Sequence, residues 1–306
     1  MRILYYSQIY NYLERFVVGQ EEAKKSLAVA GYLFSISSLA LEGGVRRESL
    51  PSLSMLLTGP TGCGKTYLVE KLADYMSVPL LKVDCSVLTS AGWSGQDTFD
   101  FLTPFFKEHP NEPTIVLLDE IDKLCEMVAS TGGGIPNLQT QSNIMPLLEG
   151  KVNQGCKYTT EGIKKSLIIA CGAFSNSPLV PSSSPIGFGR DVGADVEDLR
   201  DLLTKAGLMP ELVGRFTRVV KLNELTDKEI AEIITKQGSV LEKYQNLQIG
   251  VSLTDDTVKR LTEEIKNTKY GLRILNELMF KLVAENIVSP YDYLLEHYKT
   301  DGTLQK

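Results

Sequence analysis

The feature that most constrains this chain is the segment Gly59-Pro60-Thr61-Gly62-Cys63-Gly64-Lys65-Thr66. Its spacing is G-x-x-x-x-G-K-[ST], the pattern of a phosphate-binding loop (P-loop). Ser54–Thr58 before it is typical of a buried strand, and Tyr67–Met76 after it has apolar residues at helical spacing. The glycines let the backbone approach phosphates, and the amino end of the helix favours their negative charge. The segment therefore predicts a strand, a loop and a helix that together bind the phosphates of a nucleotide.

Length, charge and cysteine content bound the class of protein. The 306 residues allow one large or two ordinary domains. A net charge of −6 and a pI near 5.2 argue against a broad nucleic-acid-binding surface. The five cysteines form no C-x-x-C pair, so they predict free thiols in a reducing compartment and no zinc site. They are Cys63, Cys85, Cys125, Cys156 and Cys171.

The sequence gives no sign of export or membrane insertion. Met1–Tyr6 lacks the charged, apolar and small-residue regions of a signal peptide. Ser26–Leu41 is apolar but has four serines in about 16 residues, whereas a membrane-spanning helix needs about 20 apolar residues. We therefore expect a buried helix here, and a cytoplasmic protein.

Strands and helices alternate from about residue 50 to 222, which predicts an α/β domain with a parallel sheet covered on both faces. The candidate strands are Met55–Thr58, Leu80–Asp84, Thr114–Leu118, Leu167–Cys171 and Arg218–Leu222. Long loops are predicted over Ser130–Asn137 and Ser175–Gly193, and such loops in compact domains are usually functional or disordered.

The pattern changes after Leu222 and becomes helical. Thr226-Asp227-Lys228-Glu229 is a capping-type start for a helix that we expect to continue to about Tyr244. Further helices are predicted over Thr254–Lys266 and from Gly271 to about Asn286. We therefore expect a large domain over 1–222 and a small, mostly helical domain over 223–306.

Two carboxylates follow the apolar strand Thr114–Leu118. In P-loop nucleotide hydrolases, an Asp at this place holds Mg²⁺ together with the P-loop Ser or Thr. Here these would be Asp119 and Thr66, and the neighbouring Glu120 could polarise a water molecule. Acidic residues after strands are also common as helix N-caps, which is the alternative interpretation.

Two arginines and a tryptophan are further candidates. An arginine that stabilises the charge of a transferring phosphoryl group could be Arg215 or Arg273, although spacing alone favours solvated surface residues. The only tryptophan, Trp93, lies in Ala91-Gly92-Trp93-Ser94-Gly95. Flanking glycines favour a mobile loop that presents an aromatic ring, and a buried anchor in a turn is the alternative.

In this order, the motifs resemble those of the AAA+ ATPases, and within them the ClpX-type (Clp/Hsp100) unfoldases, from about Val17 to Asn286. The matching segments are Val17–Lys25 (the opening segment), Asp119–Lys123 (the Walker B run), Leu167–Phe174 (the fourth strand), Leu208–Arg215 (the arginine-finger segment), Leu222–Leu225 (the hinge) and Gly271–Arg273 (the sensor-2 motif). The resemblance implies a P-loop AAA+ large domain followed by a small helical lid domain.

The resemblance also implies roles at a site for ATP and Mg²⁺. Val17 and Val18 would contact adenine, and Arg273 would act on the nucleotide of its own subunit. Arg215 would act on the neighbour's nucleotide, which implies a ring, in this family a hexamer.

Other segments resemble those that handle protein substrates and partners. The loop Gly92–Gly95 is similar to the family's pore loop, in which Trp93 replaces the usual Tyr and would grip an extended polypeptide. Ser130–Gln139 would be the second pore loop. Ile186-Gly187-Phe188 resembles the tripeptide that docks on a ClpP-type protease, with packing on its own domain as the alternative.

The sequence departs from the family in three places. The cysteine pairs of the N-terminal zinc-binding domain do not occur in it, Lys151–Lys165 is shorter than the family's basic pore-entrance loop, and the chain stops soon after Pro290. The use of adaptors, the recognition of the family's degradation tags and the stability of a ring therefore do not follow from the resemblance.

The sequence predicts an ATP hydrolase that acts as a protein unfoldase, or chaperone, and pulls polypeptide through a hexameric pore, with a ClpP-type protease as candidate partner. The first alternative is a protease-independent remodeller of one dedicated partner complex. The second is a nucleic-acid-linked ATPase such as a loader or transposition regulator, which the acidic balance disfavours.

Overall fold

The computed structural model describes residues 2–90, 102–125, 127–128, 135–136, 138–150, 157–174, 195–236 and 254–284. The strands are β1 (Ser54–Thr58), β2 (Leu80–Asp84), β3 (Thr114–Asp119), β4 (Met127–Val128), β5 (Ile135–Pro136), β6 (Ser166–Gly172) and β7 (Arg218–Lys221). Five of them form a parallel sheet in the order β2-β3-β6-β1-β7. The other two, β4 and β5, pair with each other in an antiparallel ribbon.

The sheet confirms the predicted α/β architecture. Strands β1 and β6 are buried along their whole length, as is β3 up to its final Asp119. Strands that are covered on both faces have continuous apolar runs, and these runs made the strands visible in the sequence. The predicted strand ends agree with the observed ones to within one residue.

In chain order, helices precede the first strand of the sheet, separate its strands and follow the last one. They are α1 (Tyr6–Phe16), α2 (Glu21–Glu42), α3 (Lys65–Met76), α4 (Cys85–Ser90), α5 (Thr103–Glu108), α6 (Leu138–Leu148), α7 (Lys157–Lys164), α8 (Asp195–Lys205), α9 (Pro210–Arg215), α10 (Asp227–Thr235) and α11 (Asp255–Lys266), and residues 275–284 are also helical. Short 3₁₀ turns occupy Arg47–Ser49, Ile121–Cys125 and Gly271–Ile274. Helix α2 contains the predicted helix over Ser26–Leu41. Among the described helices, none combines the length and the apolar character that crossing a membrane requires.

An ion cluster around the buried Lys24 joins α1 to α2. The side chain of Lys24 is 0% exposed, and its Nζ lies 2.5 Å from Glu14 Oε2 and 2.6 Å from Glu21 Oε1. The hydroxyl of Tyr10 donates to Glu21 Oε2 at 2.5 Å. A buried ammonium needs such partners, because desolvating an unpaired charge is costly. The cluster therefore fixes the amino-terminal helix on the long helix α2.

The core of the sheet region includes a close contact between α5 and α7. Phe106 is 1% exposed, and its ring lies directly over Gly162. A Cβ atom placed on Gly162 would lie 2.1 Å from Phe106 Cδ1, so only glycine fits at this position.

The chain divides into two compact units. The first comprises Met1–Arg15, Gln20–Pro60 and Gly64–Glu224, and the second comprises Phe16–Gly19, Thr61–Cys63 and Leu225–Lys306. The second unit has its own apolar core, formed by Ile230, Ile234, Leu261, Ile265, Leu275, Leu278, Met279, Leu282 and Val283. The boundaries that the sequence suggested, 1–222 and 223–306, stay a prediction.

Helix α10 begins as predicted and ends earlier. Thr226 and Glu229 form a capping box in which each side chain accepts from the other's backbone N–H. The helix ends at Thr235, because Lys236 has extended backbone with ψ 149°. The prediction that the helix includes Lys236 was therefore wrong. The rest of that prediction, to about Tyr244, lies outside the described residues.

Candidate nucleotide-binding site

The parallel register brings the carboxyl ends of three strands to one edge of the sheet. Thr58 at the end of β1 is aligned with Gly172 of β6, and Leu118 of β3 is aligned with Ala170 of β6. The P-loop follows β1 and Asp119 ends β3, so both motifs begin at this edge. In α/β sheets of this kind, ligands bind outside the carboxyl ends of the strands.

Gly59 opens the P-loop at a position that admits no side chain. It has φ 150°, and a Cβ atom placed on it would lie 2.5 Å from the carbonyl oxygen of Leu222. Its N–H donates to the carbonyl of Gly172 at 3.3 Å, and the N–H of Leu222 donates to Thr58 at 2.7 Å. These contacts hold the start of the loop between β6 and the residue that follows β7.

Gly64 and Lys65 form the end of the loop and the start of α3. Gly64 is the N-cap residue and has left-handed backbone with φ 98°, which glycine adopts without strain. Lys65 Nζ donates to the carbonyls of Gly59 and Pro60 at 2.7 and 2.8 Å. These two hydrogen bonds hold the ammonium at the loop, where phosphate binding needs positive charge.

Thr66 and Asp119 are in direct contact. Thr66 Oγ1 donates to Asp119 Oδ2 at 2.9 Å, and Asp119 Oδ1 accepts from the N–H of Glu120 at 3.0 Å. Glu120 has φ 54°, a left-handed conformation that costs a residue other than glycine about 1–3 kcal/mol and is frequent at active sites. The structure thus brings together Thr66 and Asp119, with Glu120 as the next residue.

The donor set of this pair fits Mg²⁺. Hydroxyl and carboxylate oxygens are the hard ligands that Mg²⁺ prefers, and it is commonly held by one or two carboxylates together with substrate phosphates. Among the described residues, no group of three or more His, Cys, Asp and Glu side chains is placed to hold a metal. A site that is completed by nucleotide phosphates needs no such group.

The segment predicted to contact adenine is buried. Val17 and Val18 are each 6% exposed. The next residue but one, Gln20, has φ 56°, and its amide donates to the carbonyl of Asn223 at 2.9 Å and accepts from the N–H of Asn223 at 3.0 Å. Sequence reasoning gave Gln20 no role, because the partner lies 203 residues away in the chain.

The turn that begins at Gly271 packs against Thr61–Cys63 of the P-loop, and both segments belong to the second compact unit. A Cβ atom on Gly62 would lie 2.8 Å from the carbonyl oxygen of Tyr270, and one on Gly271 would lie 2.9 Å from that of Thr61. The two glycines thus allow backbone to approach backbone. Arg273 is exposed in this turn, and its N–H donates to Tyr270 at 3.3 Å.

Arg215 ends α9 and forms a half-buried ion pair. Its Nε donates to Glu149 Oε1 at 2.5 Å, and its Nη1 contacts Met145 Sδ at 2.8 Å. Its backbone carbonyl accepts from Ser54 Oγ at 2.9 Å. Sequence reasoning missed Glu149, because nothing local in Leu148-Glu149-Gly150 indicates a distant partner.

Two further residues with a structural role at the site were missed. Asp122 accepts from the N–H groups of Ala173 and Phe174 at 3.2 and 3.4 Å, which ties the Walker B run to the end of β6. Arg200 donates to the carbonyls of Val213 and Phe216 on both sides of Arg215. The acidic run that contains Asp122 was a usable signal, whereas Arg200 had none.

Several predicted residues lie outside the described residues. These are the pore-loop residues Gly92, Trp93, Ser94 and Gly95 and the docking tripeptide Ile186, Gly187 and Phe188. Of the predicted second pore loop, Ile135–Pro136 pairs with Met127–Val128, and Leu138 and Gln139 begin α6.

Comparison with known proteins agrees with this geometry. The model of the AAA family, "ATPase family associated with various cellular activities", matches residues 55–182. The chain is also similar to the "ATP-dependent Clp protease ATP-binding subunit ClpX" of Treponema denticola. The two are 30% identical over 320 residues, which cover 91% of this chain and 75% of that protein. The P-loop, the contact between Thr66 and Asp119 and these similarities lead to one conclusion: the chain belongs to the ClpX-type AAA+ ATPases, and it is an ATP hydrolase.

Proposed function

We propose that this chain is the subunit of a hexameric, ATP-driven protein unfoldase in the cytoplasm. The observation that carries the proposal is the direct contact of Thr66 with Asp119, with Glu120 next to it, at the edge where the P-loop begins. Membership of the ClpX-type family supports the extension from ATP hydrolysis to protein unfolding.

The roles proposed at the nucleotide are those that the motifs and the family resemblance imply. The loop Gly59–Thr66 would hold the phosphates, with Lys65 at the β- and γ-phosphates, and Val17 and Val18 would contact adenine. Glu120 would orient the attacking water molecule, because its carboxylate follows directly on the metal-binding Asp119. We propose a large domain over 1–222 and a small lid domain over 223–306.

Thr66 and Asp119 would hold Mg²⁺, which would supply positive charge against the phosphates when it is bound. The remaining charge would be met by arginines. Arg273 would act on the nucleotide of its own subunit, and Arg215 on that of the neighbour. An arginine that acts in trans requires a neighbouring subunit, and the family resemblance supports a ring of six.

The substrate would be a protein. Trp93, between small residues, would project into the channel and grip an extended polypeptide by apolar contact. The glycines Gly92 and Gly95 would let this loop move with the nucleotide state. Ile186-Gly187-Phe188 would dock on a ClpP-type protease, so that unfolded chains pass directly to it.

The variant Glu120→Gln tests the proposal. Loss of the base is expected to lower ATP turnover by about 10²-fold or more, because general bases typically contribute about 10²–10⁴-fold. Binding of ATP should persist, so the variant should elute as a hexamer with ATP and retain trapped protein. Phosphate release, size-exclusion chromatography and mass spectrometry of the trapped protein measure these outcomes.

Trp93→Ala provides the test of pulling, and Trp93→Tyr is its matched control. The alanine variant should hydrolyse ATP but fail to unfold a tagged form of the trapped protein, whereas the tyrosine variant should unfold it. Unchanged turnover in Glu120→Gln or full unfolding by Trp93→Ala would falsify the proposal. Salt-sensitive stimulation of ATPase activity by DNA would instead support a nucleic-acid-linked ATPase.

A further inference from the structure

We infer that Glu149 is a positioning residue for Arg215, and that it orients the guanidinium group that acts on the neighbouring subunit's nucleotide. The inference rests on the proposed trans role of Arg215. It adds a residue to the site that neither the motifs nor the family comparison assigns. The observation behind it is the ion pair between Arg215 Nε and Glu149 Oε1 at 2.5 Å.

The backbone of Arg215 is fixed from two directions. Arg200 donates to the carbonyls of Val213 and Phe216, which lie before and after Arg215. Ser54 Oγ donates to the carbonyl of Arg215 itself at 2.9 Å. Since Ser54 begins β1, the arginine is attached to the strand that leads into the P-loop. Its Cα position is therefore set, and only the long side chain needs a further restraint.

Glu149 supplies that restraint from a segment attached to the same strand entry. Ser52 Oγ donates to the carbonyl of Leu148 at 2.9 Å, and the carbonyl of Ser52 accepts from Thr217 Oγ1 at 2.8 Å. The ends of α6 and α9 are thus both hydrogen-bonded to residues 52–54. Residues 52–54 therefore anchor the segments that carry the carboxylate and the guanidinium, so the relative position of the two groups does not depend on loop motion.

The contact leaves the terminal nitrogens of Arg215 available. Glu149 engages Nε, and the other contact among the described residues runs from Nη1 to the thioether of Met145, a weak acceptor that phosphate oxygens can replace. The side chains of Arg215 and Glu149 are 34% and 33% exposed, so the pair is open to a neighbouring molecule. Arginine recognises phosphate through two parallel N–H groups, and the plane of that fork is fixed when Nε is engaged.

Fixing the plane has a kinetic consequence. A free arginine side chain loses rotamer freedom when it meets the transition state, and an oriented one has lost it beforehand. Because the oriented group acts on charge that develops during phosphoryl transfer, removal of Glu149 should lower kcat and leave the KM for ATP nearly unchanged.

The test is a double-mutant cycle in the full-length chain with Glu149→Ala, Arg215→Ala and the double variant. Glu149→Ala should reduce kcat about tenfold, well below the roughly 10³-fold or greater loss expected for Arg215→Ala. In the Arg215→Ala background, the loss of Glu149 should have no further effect on kcat, because the inferred role of the carboxylate is to orient the arginine. Glu149→Gln, which keeps an oxygen acceptor, should retain more activity than Glu149→Ala.

Asp201→Ala, at an exposed position of α8, is the matched control and should leave kcat unchanged. Thermal melting checks that each variant is folded, and Glu149→Gln decides the result if Glu149→Ala is not. Equal losses from Glu149→Ala with and without Arg215, or an unchanged kcat in Glu149→Ala and Glu149→Gln, would overturn the inference. Full activity of Arg215→Ala would instead overturn the proposed trans role, so the two failures are distinguishable.

Discussion

At the scale of single residues, the ion cluster around Lys24 makes the stability of the fold depend on pH. The hydrogen bonds that Lys24 and Tyr10 donate to Glu21 lower the pKa of its carboxyl group below the usual range. A carboxylate with a lowered pKa contributes stability above its unfolded pKa, about 4.3, and loses it as the pH falls through the lower folded value. Glu21 therefore stabilises the fold at neutral pH.

We expect Glu21→Gln to melt at a lower temperature than the unchanged chain at pH 7. The difference should shrink as the pH falls below about 4, because protonation then removes the same charge from Glu21. Melting curves at pH 7 and at decreasing acid pH measure this. A constant difference over the whole pH range would show that the charge of Glu21 is not the cause.

Single residues also show where sequence reasoning ends. The roles proposed for Thr66 and Asp119 follow from local motifs, and the structure brings the two side chains into contact. Lys24 and Lys25, in contrast, look alike in the sequence, and yet the first is fully buried and the second is exposed. One partner of Lys24, Glu14, is contributed by α1, so the burial of Lys24 depends on how two helices pack, which no local pattern predicts.

At the scale of secondary-structure elements, the contact of α5 with α7 gives a test of packing. Gly162→Ala would place a methyl group 2.1 Å from Phe106 Cδ1, and the displaced ring is buried. Overpacking of this kind typically costs about 1–3 kcal/mol, so the variant should unfold at lower temperature or denaturant concentration.

Gly214→Ala is the matched control for this prediction. Among the described residues, no atom beyond its chain neighbours and its own helix backbone lies within 4 Å of a Cβ built on Gly214, which is also helical. Alanine is favoured over glycine in helices by about 1 kcal/mol, so the control should be neutral or stabilising. Equal destabilisation of the two variants would indicate a backbone effect and contradict the role of Phe106.

Secondary-structure elements could be predicted where one sequence pattern was strong. The buried strands have continuous apolar runs, so their positions were correct to within a residue. The ribbon of β4 and β5 was not predicted, because strands of two residues are too short to show any periodicity. The early end of α10 was missed for a related reason: the helical pattern continues past Thr235, and one extended residue, Lys236, ends it.

At the scale of the whole molecule, the proposal of a protease partner can be tested separately from unfolding. Ile186→Ser together with Phe188→Ser should abolish binding to a purified ClpP-type protease, and degradation of the trapped protein with it. ATP turnover and unfolding should persist, because neither residue belongs to the proposed nucleotide site or pore loop. Ser183→Ala in the same sequence segment is the control. Failure of the unchanged chain to bind the protease would favour the protease-independent remodeller.

The order of the strands has a consequence for how the chain is made. Strand β1 lies inside the sheet, but it pairs with β6 and β7, through contacts such as Ser54 with Ile168 and Met55 with Arg218. Pairings between segments so distant form slowly, and they leave unpaired strand edges exposed during synthesis. Until Lys221 has left the ribosome, the nascent chain presents an apolar, unpaired edge of β1 to its surroundings. A product truncated before β7 keeps that edge, so it is expected to aggregate rather than to form a smaller working domain.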